Sequence, residues 1–318
     1  MHSDFLTQHR FLEIINESQY PFQMYRKFEE YIPDYLYKFS SFCTQEEEKK
    51  NRMQQLVNGE IWFSSKEFLN DPFEFEHLVL GAASPEAQQY YIKKQKELEL
   101  FCLTASPLNK LMWSHYADSY RGFCVEYRII CKEWLFPVIY DDTLPDMSMS
   151  YQNFYSNRFV LDVYSPEGQE KISKDIIRLE YPLISKDKCW SYEKEFRIVT
   201  SIDEGECPSN GHLRKADRYG LYSSAIIVGS NCPANDLALI KKTVEEINIE
   251  RDNQKKAEIL RLREHGVKYK DDVDHGVNKI FDDMPEFSPV TLKQLTWNET
   301  LQLTTKNYIG EQNGQDEI

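Results

Sequence analysis

The residues best able to do chemistry cluster in Trp190-Ser191-Tyr192-Glu193-Lys194-Glu195-Phe196-Arg197, at the entry to an apolar run. In a strand, residues two apart share a face, so the spacing predicts Glu193 and Glu195 side by side. Two such carboxylates repel, which raises one pKa and suits general-base work or stabilisation of a developing cation. A solvated strand edge, with one glutamate paired to Arg197, gives the same letters.

Three further clusters carry suitable residue types. Leu111-Met112-Trp113-Ser114-His115-Tyr116-Ala117-Asp118, followed by Ser119-Tyr120-Arg121-Gly122, predicts a short helix that offers His115 and Tyr116 to a cleft, with Arg121 as an anion-binding guanidinium. The alternative packs Trp113 and Tyr116, buries His115 as a satisfied core histidine and leaves Arg121 as a surface cap. Leu69-Asn70-Asp71-Pro72-Phe73-Glu74 predicts a stiff loop, because Asn and Asp bond their own backbone and Pro fixes φ. Asp71 and Glu74 could bind a cation or a ribose hydroxyl there, or the segment is only a turn. Tyr37-Lys38-Phe39 and Trp62-Phe63-Ser64-Ser65 set a lysine and hydroxyls among aromatics, as a nucleotide's base and phosphates require. A hydrophobic sheet has the same composition. Asp271-Asp272-Val273-Asp274-His275 lacks EF-hand spacing and reads as a solvated loop.

The elements that must position these groups follow from periodicity and turn chemistry. Two short helices broken near Pro21 precede a strand at 35–39; a helix capped by Thr44 runs to Asn58-Gly59, and a strand at 61–64 follows. An exposed helix at 86–98, a strand at 100–104, a helix at 110–116, a strand at 122–127 and a run at 137–140 come next. A helix at 166–181 and strands at 196–200 and 225–229 follow. Residues 236–264 read as helix with a break around 248–253, and the end from Gly310 as frayed. Short strands among helices and long loops, without βαβ regularity, predict an α+β fold with a central mixed or antiparallel sheet and flanking helices. The divisions expected are a helical extension at 1–34, a main α+β domain at 35–265 and a partly flexible extension at 266–318.

Composition narrows the partners. The 318 residues include 38 Lys+Arg against 52 Asp+Glu, a net charge of −14, so non-specific coating of nucleic acid or anionic membranes is disfavoured. Hydrophobic residues at 41%, with 20 Tyr and 18 Phe, are enough for a sizeable core. No apolar run approaches a membrane span, and Met1-His2-Ser3-Asp4-Phe5 lacks the pattern of a signal peptide. Seven Cys without a CxxC pair predict reduced, mostly buried thiols in a cytoplasmic protein. GxGxxG, GxxxxGK[ST], HExxH and GxSxG are all missing from the sequence.

In order, Tyr37-Lys38-Phe39, Trp62-Phe63-Ser64, Asn70–Glu74, Leu111–Asp118, Gly122-Phe123-Cys124, Trp190–Arg197 and Ile226–Gly229 resemble the motifs of the bacterial family called domain of unknown function 2971, over about residues 35–250. The resemblance implies a phage-defence or toxin-like role. A weaker likeness is to ADP-ribosyltransferases, whose split sheet places a polar residue on a first strand, a Ser or Tyr on a second and a late Glu-x-Glu. That likeness implies NAD as substrate. It makes Glu195 the catalytic carboxylate and Glu193 its helper, with Lys38, Ser64, Asn70, Asp71, His115, Tyr116 and Arg121 as contacts. Lys38 stands where the transferase pattern has His or Arg.

The leading expectation is therefore an NAD-consuming ADP-ribosyltransferase-like enzyme acting on a protein or nucleic-acid acceptor, with a nucleotide-type ligand, no membrane partner and a homo-oligomeric form open. The alternatives are a metal-dependent nuclease or phosphodiesterase built from Asp71, Glu74, His115, Glu193 and Glu195, and a non-enzymatic sensor or partner-binding protein. A divalent-metal requirement would mark the first, and saturable binding without turnover the second.

Overall fold

The computed structural model describes residues 6–18, 21–42, 44–71, 83–142, 148–157, 165, 168, 170–171, 174, 177–178, 181–203, 205–206, 209–264, 284–297 and 302–308. The chain is α+β, as the element order predicts, and it divides into two compact units built from alternating segments. The first comprises 1–33, 62–105 and 131–214; the second comprises 34–61, 106–130 and 215–318.

The first unit opens with α1 (Gln8–Glu17) and α2 (Pro21–Glu29), separated as Pro21 predicts. Thr7 caps α1 by accepting from the Arg10 amide. Strands β2 (Glu60–Ser65), β3 (Leu98–Thr104), β5 (Leu135–Pro137) and β8 (Glu195–Ser201) pair antiparallel in the order β2-β3-β8-β5, and β9 (Gly211–Lys215) lies beside β2. A separate parallel pair joins β6 (Ile139–Asp141) to β7 (Ser185–Asp187). The run expected at 137–140 is thus split between two strands of different sheets. The core packs Phe11, Ile15, Phe28, Ile139, Tyr181 and Ile184, and Phe11 stacks on Phe28 at 5.5 Å. Helices α4 (Pro85–Gln95) and α6 (Ser148–Asn157) complete the unit. Helix α4 is not exposed all round, because Ala87, Tyr91 and Gln95 at helical spacing bury one face.

In the second unit β1 (Tyr35–Ser40), β4 (Phe123–Ile129), β10 (Leu221–Val228), β11 (Thr291–Trp297) and β12 (Leu303–Asn307) form a sheet in the order β12-β11-β10-β4-β1. It is mixed, since β10 and β11 run parallel and the other pairs antiparallel. The β11–β12 pair lies within 266–318, the stretch expected as a partly flexible extension; Thr, Lys and Asn on its exposed positions hid the alternation. Helix α3 (Glu46–Val57) begins after Gln45, not Thr44, and no side chain caps it. Helix α5 (Lys110–Tyr116) is capped by Asn109, whose side chain accepts from the Leu111 and Met112 amides. Trp113 on α5 is fully buried, meets Phe39 edge-on at 5.0 Å and donates from its indole N–H to the Pro107 carbonyl at 2.6 Å.

Helix α7 (Ala234–Glu264) is continuous through 248–253, against the break expected there. Its apolar stripe ends with Ile247, but strong helix formers and ion pairs such as Lys256 with Asp252 carry it on. Only scattered residues of the helix expected at 166–181 are described. Of the five described cysteines, none in a disulfide, only Cys124 is buried and Cys189 is exposed, which corrects the expectation of mostly buried thiols. Cys43 and Cys207 lie outside the described residues. Among the described residues no helix is long and apolar enough to cross a membrane.

Candidate functional site

The Glu193–Glu195 pair lies in the first unit and is not a strand pair. Glu193 ends a 3-10 helix (Lys188–Glu193), Lys194 turns the chain in the left-handed region at φ 47°, and Glu195 opens β8. The backbone here is pinned on several sides. Asp187 caps the 3-10 helix by accepting from the Cys189 amide, the Thr104 hydroxyl donates to the Glu193 carbonyl, and the Ala105 amide donates to the Lys194 carbonyl at 3.1 Å. The Glu195 amide donates to the Tyr140 hydroxyl at 2.8 Å.

The turn brings both carboxylates onto one cation that sequence reasoning passed over. Lys186 on β7 donates to Glu193 Oε2 at 2.7 Å and to Glu195 Oε2 at 3.2 Å. Arg197, two residues along β8, forks onto Glu195: Nε reaches Oε1 at 2.8 Å and Nη2 reaches Oε2 at 3.0 Å. Its Nη1 donates to the Leu183 carbonyl at 2.8 Å. All four side chains are buried, Arg197 completely, so the solvated strand edge is overturned while the pairing of Glu195 with Arg197 stands. The one signal in the sequence near Lys186 is the apolar run Pro182-Leu183-Ile184 shortly before it, which places the start of β7 in the core.

The charges in this group are mutually dependent. Burial pushes the Glu195 carboxyl above the usual carboxylate range and Glu193 adds to it, against the pull of Lys186. Burial also opposes the Lys186 ammonium, but Glu195 and Glu193 outweigh it and hold that group above the ordinary lysine value. Burial draws the Arg197 guanidinium down to about 9, and the charge of buried Asp71 works the other way. The Cys102 thiol also bonds Glu195. Over this buried floor lie two half-buried rings: Trp190, with Lys186 Nζ 4.9 Å from its centroid, and Tyr192, 6.1 Å from Trp190.

Other expected residues fall as follows. Asp71 joins the group through its field on Arg197, whereas half-buried Ser64 on β2 and exposed Asn70 bond none of its members. Pro72, Phe73 and Glu74 lie outside the described residues, as does 271–275. Lys38, His115, Tyr116 and Arg121 belong to the second unit. Lys38 is half-buried on β1 opposite Val125. His115 is exposed at the end of α5, so it is not a core histidine, and Arg121 is a surface group 3.7 Å from Asp118. After α5 the chain runs through three successive left-handed residues, Asp118, Ser119 and Tyr120, at φ 46°, 54° and 68°.

Sequence reasoning also missed a cluster on β3 and β9, where buried Glu99 accepts from Arg214 Nη2 at 3.2 Å and contacts His212 Nδ1. Glu206 takes the other side of Arg214. Among the described residues no group of three or more His, Cys, Asp or Glu is placed to hold a metal ion. The Lys186 ammonium already occupies the point between Glu193 and Glu195 that a bridging cation would take.

Residues 112–198 match the family model described as Protein of unknown function (DUF2971). That segment contains the whole of Gly122-Phe123-Cys124 and Trp190–Arg197 and all but the first residue of Leu111–Asp118, so it covers two of the seven motifs fully and most of a third. The match supports the resemblance to that family across this stretch. No curated protein and no solved structure matches the chain significantly.

Proposed function

We propose that the chain is an NAD-consuming enzyme of the ADP-ribosyltransferase type, with its carboxylate chemistry in the first unit. The observation that supports this is the buried Glu193–Lys186–Glu195–Arg197 group beneath Trp190 and Tyr192. Loss of nicotinamide from NAD develops positive charge on the ribose, and a fixed anion lowers that barrier. Arg197 and Lys186 fix the orientation of the Glu195 carboxyl, and the Lys186 charge works against the burial that disfavours its anion. The Cys102 thiol is a weak donor. A ribose hydroxyl replaces that bond most readily, since the guanidinium and ammonium bonds are charge-assisted. Glu193 orients the incoming acceptor or water, and the two aromatic rings offer faces on which the nicotinamide or adenine can stack.

The test incubates the wild-type chain, Glu195→Gln and Glu193→Gln with NAD and cell extract, without added metal, and measures free nicotinamide. Release by wild type that falls about 100-fold or more in Glu195→Gln supports the reading. Equal release by wild type and Glu195→Gln, or none from any, overturns it.

A further inference from the structure

The second unit contains a cavity of about 300 Å³ bounded by α7, β4, β10 and the turn after α3. That volume sits at the lower end for small-molecule sites. One wall is apolar, from Val125, Tyr127, Leu221, Ile226 and Ile247. On α7, Ile247, Arg251 and Gln254 share one face at helical spacing, and all three line the cavity.

Arg251 is the unusual member. Its guanidinium makes two hydrogen bonds, from Nη1 to the Ser288 carbonyl and from Nη2 to the Ser223 hydroxyl at 2.9 Å. Both partners are neutral, and among the described residues no carboxylate pairs with it. Burial alone draws it down to about 10, with no opposing charge behind the shift. A half-buried guanidinium without an anion is partly desolvated at a cost, and it keeps further N–H donors available to a ligand. The other cation on the lining, Lys215, is already committed to Glu60 at 3.3 Å and to the Asn58 carbonyl.

We infer that this cavity binds a small monocarboxylate with an apolar body, its carboxylate forked onto Arg251 and its body against Val125, Tyr127 and Ile226. The acids on the lining set the charge limit. Glu60, Asp217, Glu250 and Glu286 outnumber the two cations there, so a phosphate ester carrying close to two charges is repelled about twice as strongly as a single carboxylate, for which the direct fork on Arg251 has only the smaller repulsion to offset. The planar fork matches a carboxylate in two parallel bonds. The site lies within the second unit and does not depend on the NAD reading of the first.

The test is calorimetric titration of the full chain with hexanoate and phenylacetate, with phenylacetamide as the neutral isostere of the latter. Phenylacetate should bind about ten-fold or more tightly than its amide, and Arg251→Met should erase that preference. Gln254→Trp, an exposed position at the cavity edge, leaves Arg251 intact and should weaken both acids by blocking entry. If Arg251→Met does not fold, Gln254→Trp decides alone. Acid and amide binding equally, no heat from either acid up to about 10 mM, or affinity unchanged in the variants would each overturn the assignment.

Discussion

The ammonium nitrogen of Lys186 lies 2.7 Å from Oε2 of Glu193, at a depth where the two side chains are 5% and 4% exposed. At that depth neither charge is tolerable alone, and the same nitrogen also serves Glu195. Lys186 is therefore the cation that both carboxylates share, while Arg197 holds Glu195 from a second side. Lys186→Met should lower stability by about 3–5 kcal/mol, because it removes the cation from buried Glu193 and leaves Glu195 with Arg197 alone. Adding Glu193→Gln to Lys186→Met should recover part of the loss. Denaturant unfolding of the single and double variants measures this, and a loss under about 1 kcal/mol in the single variant contradicts it.

The same contact sets a pH dependence. The folded Lys186 pKa is raised above the lysine value of 10.5, so the folded state keeps a proton that the unfolded chain releases. Its contribution is complete below about pH 10.5 and is lost as pH rises further. Buried tyrosines whose hydroxyls are also raised, such as Tyr127, steepen alkaline unfolding in every variant. The difference between wild type and Lys186→Met isolates the lysine. Above pH 10.5 the wild type should lose up to ~1.4 kcal/mol more per pH unit than the variant. Parallel curves would show that Lys186 is not the group responsible.

Trp190 gives a kinetic test of the proposed NAD site. As a stacking face that takes no part in bond breaking, it should affect substrate binding before turnover. Trp190→Phe should stay near wild type, whereas Trp190→Ala should raise KM for NAD by about 3- to 10-fold with little change in kcat. A fall in kcat at constant KM would move Trp190 out of that role.

The left-handed run after α5 depends on a glycine elsewhere in the second unit. A Cβ on Gly229 would stand 2.0 Å from the Tyr120 carbonyl oxygen, and the Asn231 amide donates to that same oxygen at 3.0 Å. Gly229→Ala should therefore cost more than about 2 kcal/mol, since backbone rather than a flexible side chain must give way. Gly59→Ala is the control: its φ is +64° but nothing lies within 4 Å of the new Cβ, so only about 1 kcal/mol of backbone strain is expected. Equal losses in the two variants would show that the close approach does not matter.

Much of this was legible in the sequence where a local rule acts alone. Helix α5 follows from the run Leu111-Met112-Trp113, with the Asn109 cap added by the structure, and β1 and β8 from their apolar runs. That Glu193 and Glu195 come close together was legible from their spacing, but how they meet was not. Their meeting depends on one left-handed residue and on a lysine seven positions upstream of Glu193, paired through β6 and β7, and no periodicity encodes that. Lys38, His115 and Arg121 show the opposite failure. Reactive residue types stood out in the sequence, yet the structure places them in another unit and leaves His115 and Arg121 exposed.

The continuity of α7 tests the same distinction between local and tertiary signals. After Ile247 the apolar period is lost, and a break at 248–253 follows if burial alone sustains a helix. The structure supplies other supports. The Asn248 side chain bonds both the amide and the carbonyl of Val290, Arg251 holds Ser288 and Ser223, and Gln254 reaches back to Glu250 at 2.9 Å. These contacts fix successive turns on one side while the other faces solvent. A proline in that stretch should then act as it does inside any helix, removing one ladder bond and clashing with the preceding turn. Asn253→Pro should cost about 3 kcal/mol and lower the helical circular dichroism, whereas Asn253→Ala should be neutral or slightly stabilising. If the proline variant matched the alanine variant in stability, the helix would be broken in solution as the apolar pattern implies, and Arg251 would lose the rigid face that aims it into the cavity.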